Sequence, residues 1–438
     1  MKGKKILKGC PHKSIVFLVT LFVALSLMKI TYSESLPTVV PEEVGLSSLR
    51  LQRLDRAMQG YIDKEQLAGV VALVARHEKI AHFKAYGKMS LETGRPMQND
   101  SLFRLYSMTK PITSVALLKL FEKGLFQLNY PVEAYIPAFT GIKVFDGLDA
   151  QGEMKLVDQK RKVSIYDMFR HTSGLSYGIF SNTPVDMAYR KDNISYFTER
   201  LESFIPRLAK IPLLHQPGTM WHYSYSHDVL AYLVEKLSGV PYDQYLQKEI
   251  FEPLGMTDTS FGVEERKLSR YTTCYGPPGK DSTDGKIRVF ETPDRSLYRA
   301  GAQFPAGGVG LVSTAGDYYR FAQMLLNNGK YNGRRILGKK TVELLSSNHL
   351  PPALMPIRIG PMPVNGVGFG LGVSVVVDPA ATANLGSVGQ YGWSGYATTT
   401  VLIDPVEDII SILMAQFLPA KGAVFDQFKT LVYQSIVQ

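Results

Sequence analysis

Runs of β-branched and aromatic residues lie near both ends of this chain, and helical patterns fill the middle. AGVVALVARHEKIAHFKAYG (68–87) contains two such runs around the polar turn His77-Glu78-Lys79, which predicts a hairpin. FGLGVSVVV, YATTTVLID and IISILMAQF follow within residues 369–417. Strands so far apart in sequence must meet to bury their apolar faces. We therefore predict one mixed α/β domain assembled from N- and C-terminal segments, beside a helical region from the middle.

Between these runs, the spacing of apolar residues is that of helices. The segments with the clearest pattern are 107–123, 226–238, 316–329 and 424–437. A chain of 438 residues that is 45% hydrophobic can also bury a large core. We therefore predict one domain over residues 34–438. Its sheet part would come from about 34–106 and 300–438, and its helical part from about 107–299.

The first 33 residues have the pattern of an export signal. Five lysines lead into the apolar run SIVFLVTLFVALSLM (14–28), and small or polar residues follow up to Ser33. A basic region, an apolar region and a cleavage site near Ser33 predict a periplasmic or secreted protein. The alternative is an uncleaved segment with weak membrane association, but fifteen residues are short for a helix that spans a bilayer.

Charge and composition argue against several functional classes. The net charge of +10 falls to +4 without the six lysines of residues 1–33, and the remainder has no basic cluster interleaved with aromatics. We therefore predict no nucleic-acid partner. The histidines lack metal-site spacing, and no phosphate or dinucleotide-binding loop is present, so we expect neither a metal nor a cofactor. After cleavage Cys274 is the single cysteine, which excludes an intramolecular disulfide.

Ser107 and Lys110 stand three residues apart in LYSMTKPITSVALLKLFEKG (105–124), at the start of a predicted helix. Side chains at this spacing share one helix face, about 5–6 Å apart at Cβ. The helix N-terminus adds positive potential near the serine, and Pro111 suits a first turn. A lysine at the base of an apolar stripe is partly desolvated, which lowers its pKa. The pair predicts an activated serine, although an isolated S-x-x-K also fits a helix cap beside a solvated lysine.

Two later segments accompany this pair. WHYSYSHDVLAYLVEKLSG (221–239) places Tyr223 just before a helix, and QYGWSGYATTTVLIDP (390–405) places a W-x-G at the start of a strand. In this order after S-x-x-K, they resemble the serine hydrolases of the penicillin-binding protein and class C β-lactamase superfamily, most closely its family VIII esterases. The resemblance covers nearly all of residues 34–438. It implies a β-lactamase/transpeptidase-like fold, with an antiparallel sheet flanked by helices beside an all-helical region.

The resemblance also implies roles for individual residues. Ser107 would attack the acyl carbonyl and form an acyl-enzyme, and Lys110 would hold or shuttle its proton. Tyr223 would act as the base, with a pKa lowered by the nearby lysine cation. The oxyanion hole would consist of the backbone N–H groups of Ser107 and Tyr396, and Gly395 would let the strand come close to the acyl group.

The substrate-binding positions that the resemblance implies are Tyr225, Trp393, Ser394 and Gly395. Two of them depart from the class C β-lactamase pattern, which has asparagine in place of Tyr225 and lysine in place of Trp393. In the β-lactamases that asparagine holds the β-lactam side chain, and that lysine receives the substrate carboxylate. Since an aromatic side chain suits a neutral ester better, these departures favour esters over β-lactams and peptidoglycan stems.

A second serine competes for the role of nucleophile. GLSYG (174–178) matches the G-x-S-x-G elbow of α/β-hydrolases. The candidate bases downstream are His215, His222, His227 and His349. That elbow needs a strand before Ser176 and a helix after it, whereas SIYDMFRH (164–171) predicts a helix before it. We therefore predict that Ser176 is not the nucleophile and that His171 has a structural role.

The sequence thus predicts a serine hydrolase that cleaves or transfers acyl groups through Ser107, with a small-molecule ester or amide as substrate. One alternative is a D-amino-acid peptidase, a DD-carboxypeptidase or a weak β-lactamase. Another is a catalytically silent protein that binds peptidoglycan fragments or a protein partner. Retention of Ser107, Lys110 and Tyr223 argues against the silent protein, and Trp393 with Tyr225 favours esters.

Overall fold

In the computed structural model of this chain, a seven-stranded antiparallel sheet lies at the centre of the described residues. Its strands are β1 (Gly69–Arg76), β2 (Lys79–Gly87), β3 (Val367–Phe369), β4 (Ser374–Val376), β5 (Tyr391–Gly395), β6 (Thr399–Asp404) and β7 (Ile409–Ala415). They follow the order β3-β4-β5-β6-β7-β1-β2, so the N-terminal hairpin pairs with the last strand of the chain. The predicted sheet of N- and C-terminal segments is confirmed.

The structure describes residues 1, 3, 36–194, 199–279, 285–299 and 304–438. Pro37–Gln438 form one unit. The predicted export signal, residues 1–33, lies outside the described residues except for Met1 and Gly3, and it stays a prediction. Among the described residues, no helix combines the length and the apolar character that crossing a membrane requires.

Helices pack on the sheet. In chain order the α-helices are α1 (Ser48–Asp63), α2 (Thr109–Glu122), α3 (Ile165–Phe169), α4 (Pro184–Lys191), α5 (Leu201–Leu208), α6 (Ser226–Ser238), α7 (Tyr242–Leu246), α8 (Glu252–Leu254), α9 (Ala315–Leu326), α10 (Lys339–Ser346), α11 (Pro379–Thr382) and α12 (Gly422–Tyr433). Leu54 of α1 and Phe428 of α12 share a core cluster with Val70 and Ala72 of β1. α9 packs against β1 and β7, and every residue of β1 is buried, so both faces of this strand are covered.

Short two-stranded ribbons complete the described secondary structure. They pair Phe103–Arg104 with Val312–Ser313, Val144–Leu148 with Met154–Val157, Cys274–Gly276 with Arg288–Glu291, Lys330–Tyr331 with Arg334–Arg335, and Ile357–Ile359 with Met362–Val364. Two of these ribbons fall within residues 107–299, where mainly helices were expected. The division of the domain into a sheet part and a helical part stays a prediction.

Several helices agree closely with the sequence patterns. α6 spans the predicted 226–238 and ends at Gly239, whose φ of 70° is the left-handed conformation common after helices. Ser164 caps α3 through a reciprocal capping box. α2 is buried continuously from Thr109 to Leu118 and packs against α6. A helix that is buried all round belongs to the core, so the residues at its start rest on a rigid base.

Two predicted strands have different bounds in the structure. YATTTVLID is not one strand, because residues 396–398 form the turn between β5 and β6, with Thr398 at a φ of 62°. Trp393 consequently lies in the middle of β5 and not at a strand start. FGLGVSVVV contains parts of β3 and β4 around a turn in which a Cβ on Gly372 would lie 2.0 Å from Ser114 Oγ of α2. Such turn residues are easily missed when they stand inside an apolar run.

Candidate active site

Ser107 and Lys110 are hydrogen-bonded to each other. Ser107 lies in a 3-10 turn, Tyr106–Met108, immediately before α2, and Lys110 lies in the first turn of α2. Lys110 Nζ donates to Ser107 Oγ over 3.1 Å and to the carbonyl oxygen of Gly308 over 2.7 Å. Both side chains are buried, and that of Lys110 is buried completely. The amine is therefore held against the hydroxyl group that a nucleophilic mechanism would deprotonate.

The backbone just before Ser107 has an uncommon conformation. Tyr106 has a φ of 47°, in the left-handed region that favours glycine. The end of β5 lies against this segment, since a Cβ on Gly395 would be 2.1 Å from the carbonyl oxygen of Leu105. Thr399 Oγ1 donates to the same oxygen over 3.3 Å. Glycine at position 395 therefore allows β5 to approach the segment before Ser107 closely, and its predicted approach to the acyl group stays a prediction.

The charge of Lys110 depends on two opposing effects. Burial lowers the pKa of Lys110 to about 7, while the carboxylate of Asp228 acts to raise it. Asp228 lies fully buried in the first turn of α6, and its Oδ1 accepts from the backbone N–H of Gly308 over 3.0 Å. Gly308 thus joins Asp228 to Lys110 through its own N–H and carbonyl. Near pH 7 a large fraction of Lys110 is neutral and able to accept a proton from Ser107.

Asp228→Asn is expected to shift the pH dependence of catalysis. In the wild type, kcat/KM should rise with pH through an acid limb near pH 7, because only the neutral amine of Lys110 accepts a proton. Asparagine keeps an oxygen that can accept from Gly308 but removes the negative charge. The pKa of Lys110 then falls, and the acid limb should move to lower pH by about one unit. The measurement is kcat/KM for a 4-nitrophenyl ester across this pH range, and a limb that stays in place would contradict the role of Asp228.

Besides Asp228, and Tyr177 with its ring centroid 5.6 Å from Lys110 Nζ, three titratable side chains face Lys110. They are Tyr223, whose ring centroid lies 4.6 Å from Lys110 Nζ, and the buried imidazoles of His171 and His227. Burial lowers the pKa of both imidazoles well below the ordinary value for histidine and raises the pKa of the phenol. Since these three groups do not change charge near pH 7, we expect an acid limb of kcat/KM near pH 7 to report the titration of Lys110.

Tyr223 lies beside this pair. Its hydroxyl oxygen accepts a hydrogen bond from Trp393 Nε1 over 3.0 Å. The expectation that the lysine cation lowers the pKa of Tyr223 is wrong. Burial raises this pKa, and the opposing contributions come from hydrogen bonding with Ser107 and Trp393. Lys110 Nζ lies over the ring of Tyr223, and because the pKa of the phenol is raised, Tyr223 is protonated in the resting site near pH 7.

The side chains of Trp393 and Ser394 have different surroundings, although the two residues are adjacent in β5. The indole of Trp393 is buried between Tyr223 and Phe369, with ring centroids 5.6 Å and 5.2 Å away. Ser394 Oγ lies 2.8 Å from Thr400 Oγ1 on the neighbouring strand β6. The structure therefore joins Trp393 to Tyr223, whereas the hydroxyl of Ser394 is engaged in the sheet.

Tyr396 and Tyr225 also differ in their surroundings. Tyr396 is 57% exposed, and its ring lies edge-on against Tyr106 at a centroid distance of 6.2 Å. Tyr225 is buried, and its hydroxyl donates to the carbonyl oxygen of Ile194 over 3.0 Å. Its ring packs on edge against Tyr177. Tyr225 thus supports the site by packing, and the substrate-binding and oxyanion roles stay predictions.

Ser176, the competing serine, is fully buried in the loop between α3 and α4. Its Oγ donates to Asp186 Oδ1 over 2.6 Å and lies 3.2 Å from His222 Nε2. It also accepts from the backbone N–H of Gly178 over 3.0 Å. The predicted helix before Ser176 is confirmed as α3. The hydroxyl is therefore engaged in holding the loop and lacks the strand-turn-helix setting of a nucleophile elbow.

The buried histidines are held by hydroxyl groups. His171 Nδ1 lies 3.1 Å from Ser224 Oγ, and His227 Nε2 lies 3.3 Å from Ser114 Oγ. The two imidazoles pack against each other with ring centroids 4.8 Å apart. Within the described ranges, no group of three or more His, Cys, Asp or Glu side chains could hold a metal ion.

Asp228 and Gly308 belong to the site, although the sequence analysis did not single them out. Asp228 lies in one of the segments that carry the resemblance, five residues after Tyr223. An acidic side chain inside the apolar run of a core helix requires a buried partner, which is the signal that could have identified Asp228. Gly308 contributes backbone atoms alone, so its part could not be inferred from a side chain.

Comparison with known proteins identifies relatives along most of the described fold. The Beta-lactamase family model matches residues 54–431, a range that includes all of the site residues above. Protein Rv1367c of Mycobacterium tuberculosis is 34% identical over 82% of this chain and 88% of its own length. Esterase EstB of Burkholderia gladioli is 29% identical over 78% of this chain and 84% of its own length.

Among solved structures, this chain is similar to EstCE1, described as a hydrolase with promiscuous acyltransferase activity. The TM-score is 0.73 at 25% sequence identity. The similarity covers 88% of this chain and 98% of EstCE1. The expected β-lactamase/transpeptidase-like fold is confirmed by these matches together with the antiparallel sheet and its helices.

Proposed function

This chain belongs to the Beta-lactamase family, and we propose that it is a serine hydrolase that acts through an acyl-enzyme on small carboxylic esters. The observation that carries the proposal is the hydrogen bond from Trp393 Nε1 to the hydroxyl of Tyr223. The indole N–H is engaged by Tyr223, and an indole has no positive charge with which to receive a substrate carboxylate. A neutral ester needs no such partner, and esterase EstB is among the relatives.

In the proposed acylation, neutral Lys110 accepts the proton of Ser107 as Oγ attacks the ester carbonyl. Backbone N–H groups of Ser107 and Tyr396 stabilise the oxyanion. When the bond to the alkoxy oxygen breaks, Tyr223 gives that oxygen its proton and regains one from Lys110. The products are the acyl-enzyme and the free alcohol.

Deacylation reverses these proton movements with water in place of the alcohol. Water loses a proton to the Tyr223–Lys110 pair as it attacks the acyl carbonyl, and Ser107 Oγ takes a proton as it leaves. An alcohol that occupies the place of water would be acylated instead. We therefore propose acyl transfer to an alcohol as a second activity, which the similarity to EstCE1 supports.

The peptidase and β-lactamase alternatives are less well supported than the esterase. Their substrates carry a carboxylate that needs a cation beside the nucleophile, and Trp393 occupies that position. The catalytically silent alternative is less well supported because Lys110 and Ser107 are hydrogen-bonded and Lys110 has a pKa near 7. Buried lysines with lowered pKa values are typical of catalytic sites.

We expect the protein to hydrolyse 4-nitrophenyl acetate or butyrate with a kcat/KM at least about 10²-fold above that for a chromogenic cephalosporin. The reason is that the β-lactam carboxylate would meet a neutral indole. Initial rates for both substrates, measured on one preparation, provide the test. A Ser107→Ala preparation gives the background for each substrate. Equal or faster cephalosporin turnover would contradict the preference for esters.

A further inference from the structure

A cavity of about 540 Å³ adjoins the catalytic tyrosine. Tyr223 forms part of its wall, and most of the other lining side chains are apolar. They include Phe180, Leu214, Met220, Trp221, Leu354 and Met355. The volume falls within the range of cavities that hold drug-sized ligands, about 300–1,000 Å³. A cavity that admitted only the hydrolytic water would not need so large an apolar space beside Tyr223, the proton donor of the proposed mechanism.

The chemistry of ester cleavage indicates which half of a substrate this cavity receives. The group that protonates the leaving oxygen must come within hydrogen-bond reach of that oxygen, about 2.6–3.2 Å. In the proposed mechanism that group is Tyr223. The leaving oxygen, and with it the alcohol half of the ester, must therefore lie on the side of the site where Tyr223 is. Tyr396, whose N–H would bind the oxyanion, lines a different cavity of about 330 Å³ with Phe290 and Leu418. The two halves of the ester thus have separate spaces available.

The charged side chain in the lining of the larger cavity is Arg358, and the carboxylate of Asp186 lies buried behind Ser181 and Thr183. The lining also contains two histidines and holds no carboxylate. Burial lowers the pKa of His215 to about 4 and lowers that of His222, so both imidazoles are neutral near pH 7. Arg358 is exposed, and its Nη1 makes a long hydrogen bond of 3.5 Å to the carbonyl oxygen of Pro361. Among the described residues, no carboxylate forms an ion pair with it, so its positive charge remains available to a ligand.

We propose that this cavity binds the alcohol half of the ester, and that Arg358 selects an alcohol that carries a carboxylate. The proposal rests on the proposed function of Ser107 and Tyr223. Apolar walls hold the aromatic or alicyclic body of the alcohol, and the guanidinium group pairs with the carboxylate through two parallel hydrogen bonds. The substrate class is an ester, or an acyl acceptor, of a bulky hydroxy acid or phenolic acid.

The carboxylate preference is tested with two acetates that differ in one group, 2-naphthyl acetate and 6-acetoxy-2-naphthoate. The quantity compared is the ratio of kcat/KM for the carboxylated ester to kcat/KM for the neutral ester. Arg358→Gln should lower this ratio about tenfold, through KM, because a charge-assisted hydrogen bond is lost. Arg334→Gln, which removes an exposed arginine on another ribbon, should leave the ratio unchanged. An unchanged ratio in Arg358→Gln overturns selection by Arg358.

The assignment of the alcohol half is tested with Met220→Trp. Met220 is 46% exposed and lines the cavity, so a larger side chain fills space without disturbing the core. The variant should disfavour naphthyl acetate relative to phenyl acetate about tenfold, because the filled cavity no longer holds the second ring. The ratio of 4-nitrophenyl octanoate to 4-nitrophenyl acetate should not change. If the ratio of octanoate to acetate changes and the ratio of naphthyl to phenyl acetate does not, the assignment is overturned and the acyl half lies in this cavity.

The outcomes for this inference and for the proposed function are separable. If the wild type hydrolyses neither neutral nor carboxylated esters at a rate that depends on Ser107, the proposed function fails, and this inference fails with it. If Ser107-dependent hydrolysis occurs but the ratios respond in neither variant, the proposed function stands and the assignment of the cavity is overturned.

Discussion

Ser107→Ala is expected to abolish covalent labelling by a fluorophosphonate probe and to lower ester turnover by about 10³-fold or more. The hydroxyl of Ser107 accepts from Lys110 Nζ over 3.1 Å and lies just before a helix that is buried from Thr109 to Leu118, and alanine removes the only oxygen of this side chain. The measurement is the intact mass after exposure to the probe, together with kcat for a 4-nitrophenyl ester. Labelling that persists in the variant would contradict the assignment of Ser107.

Peptide mapping of the wild-type adduct supplies the control for the competing serine. Trypsin should release residues 105–119 in one peptide, because Lys110 is followed by Pro111, and residues 171–190 in another. An adduct on the first peptide places the reaction at Ser107. An adduct on the second would move it to Ser176, whose hydroxyl is bound to Asp186 in the structure.

Tyr223→Phe is expected to lower kcat by about 10²-fold or more, while the protein keeps its fold and its probe-reactive serine. The phenol is protonated in the resting site and is placed to protonate the leaving oxygen, and phenylalanine keeps the ring contacts with Trp393 and Lys110. Turnover should fall most for esters of poorly acidic alcohols, which depend most on protonation of the leaving group. Steady-state kinetics on an alkyl ester and a 4-nitrophenyl ester test both statements.

Two further variants show whether the effect comes from the hydroxyl of Tyr223. Tyr245→Phe removes a buried hydroxyl that has no hydrogen-bond partner among the described residues, and it should leave kcat unchanged. Trp393→Phe removes the N–H that donates to Tyr223, and it should lower kcat by about tenfold. Near-normal turnover by Tyr223→Phe would remove this tyrosine from the mechanism.

Parts of the fold could be predicted because they depend on local sequence. The hairpin 68–87 has β-branched runs around a polar turn, and the helix 226–238 ends at a glycine that adopts a left-handed conformation. The order of S-x-x-K, Tyr223 and the W-x-G was sufficient to indicate the family. The bounds of β5 and β6 were not predictable in the same way, because the turn at 396–398 stands inside a run of β-favouring residues and lies next to the close packing of Gly395 against Leu105.

The chemistry of the site was less accessible to sequence analysis. Trp393 was expected to contact the substrate, and its indole N–H proves to be bound to Tyr223. Tyr223 was expected to have a lowered pKa, whereas burial raises it. The first difference is a contact between residues 170 positions apart, which no local pattern shows. The second arises because a pKa depends on desolvation and on neighbouring charges and hydrogen bonds, which are properties of the assembled core.

By itself, the sequence determined the family, a sheet assembled from the two ends of the chain, and the identity of the candidate nucleophile and its lysine. These follow from periodicity and from short motifs, in which the relevant residues are neighbours in sequence. Only the tertiary structure decided that Asp228 lies near enough to Lys110 to oppose the lowering of its pKa, that Gly308 is hydrogen-bonded to both, and that Trp393 donates to the hydroxyl of Tyr223. Those contacts join residues that are 80 or more positions apart in the chain, and their energies depend on burial that exists only after the core has formed.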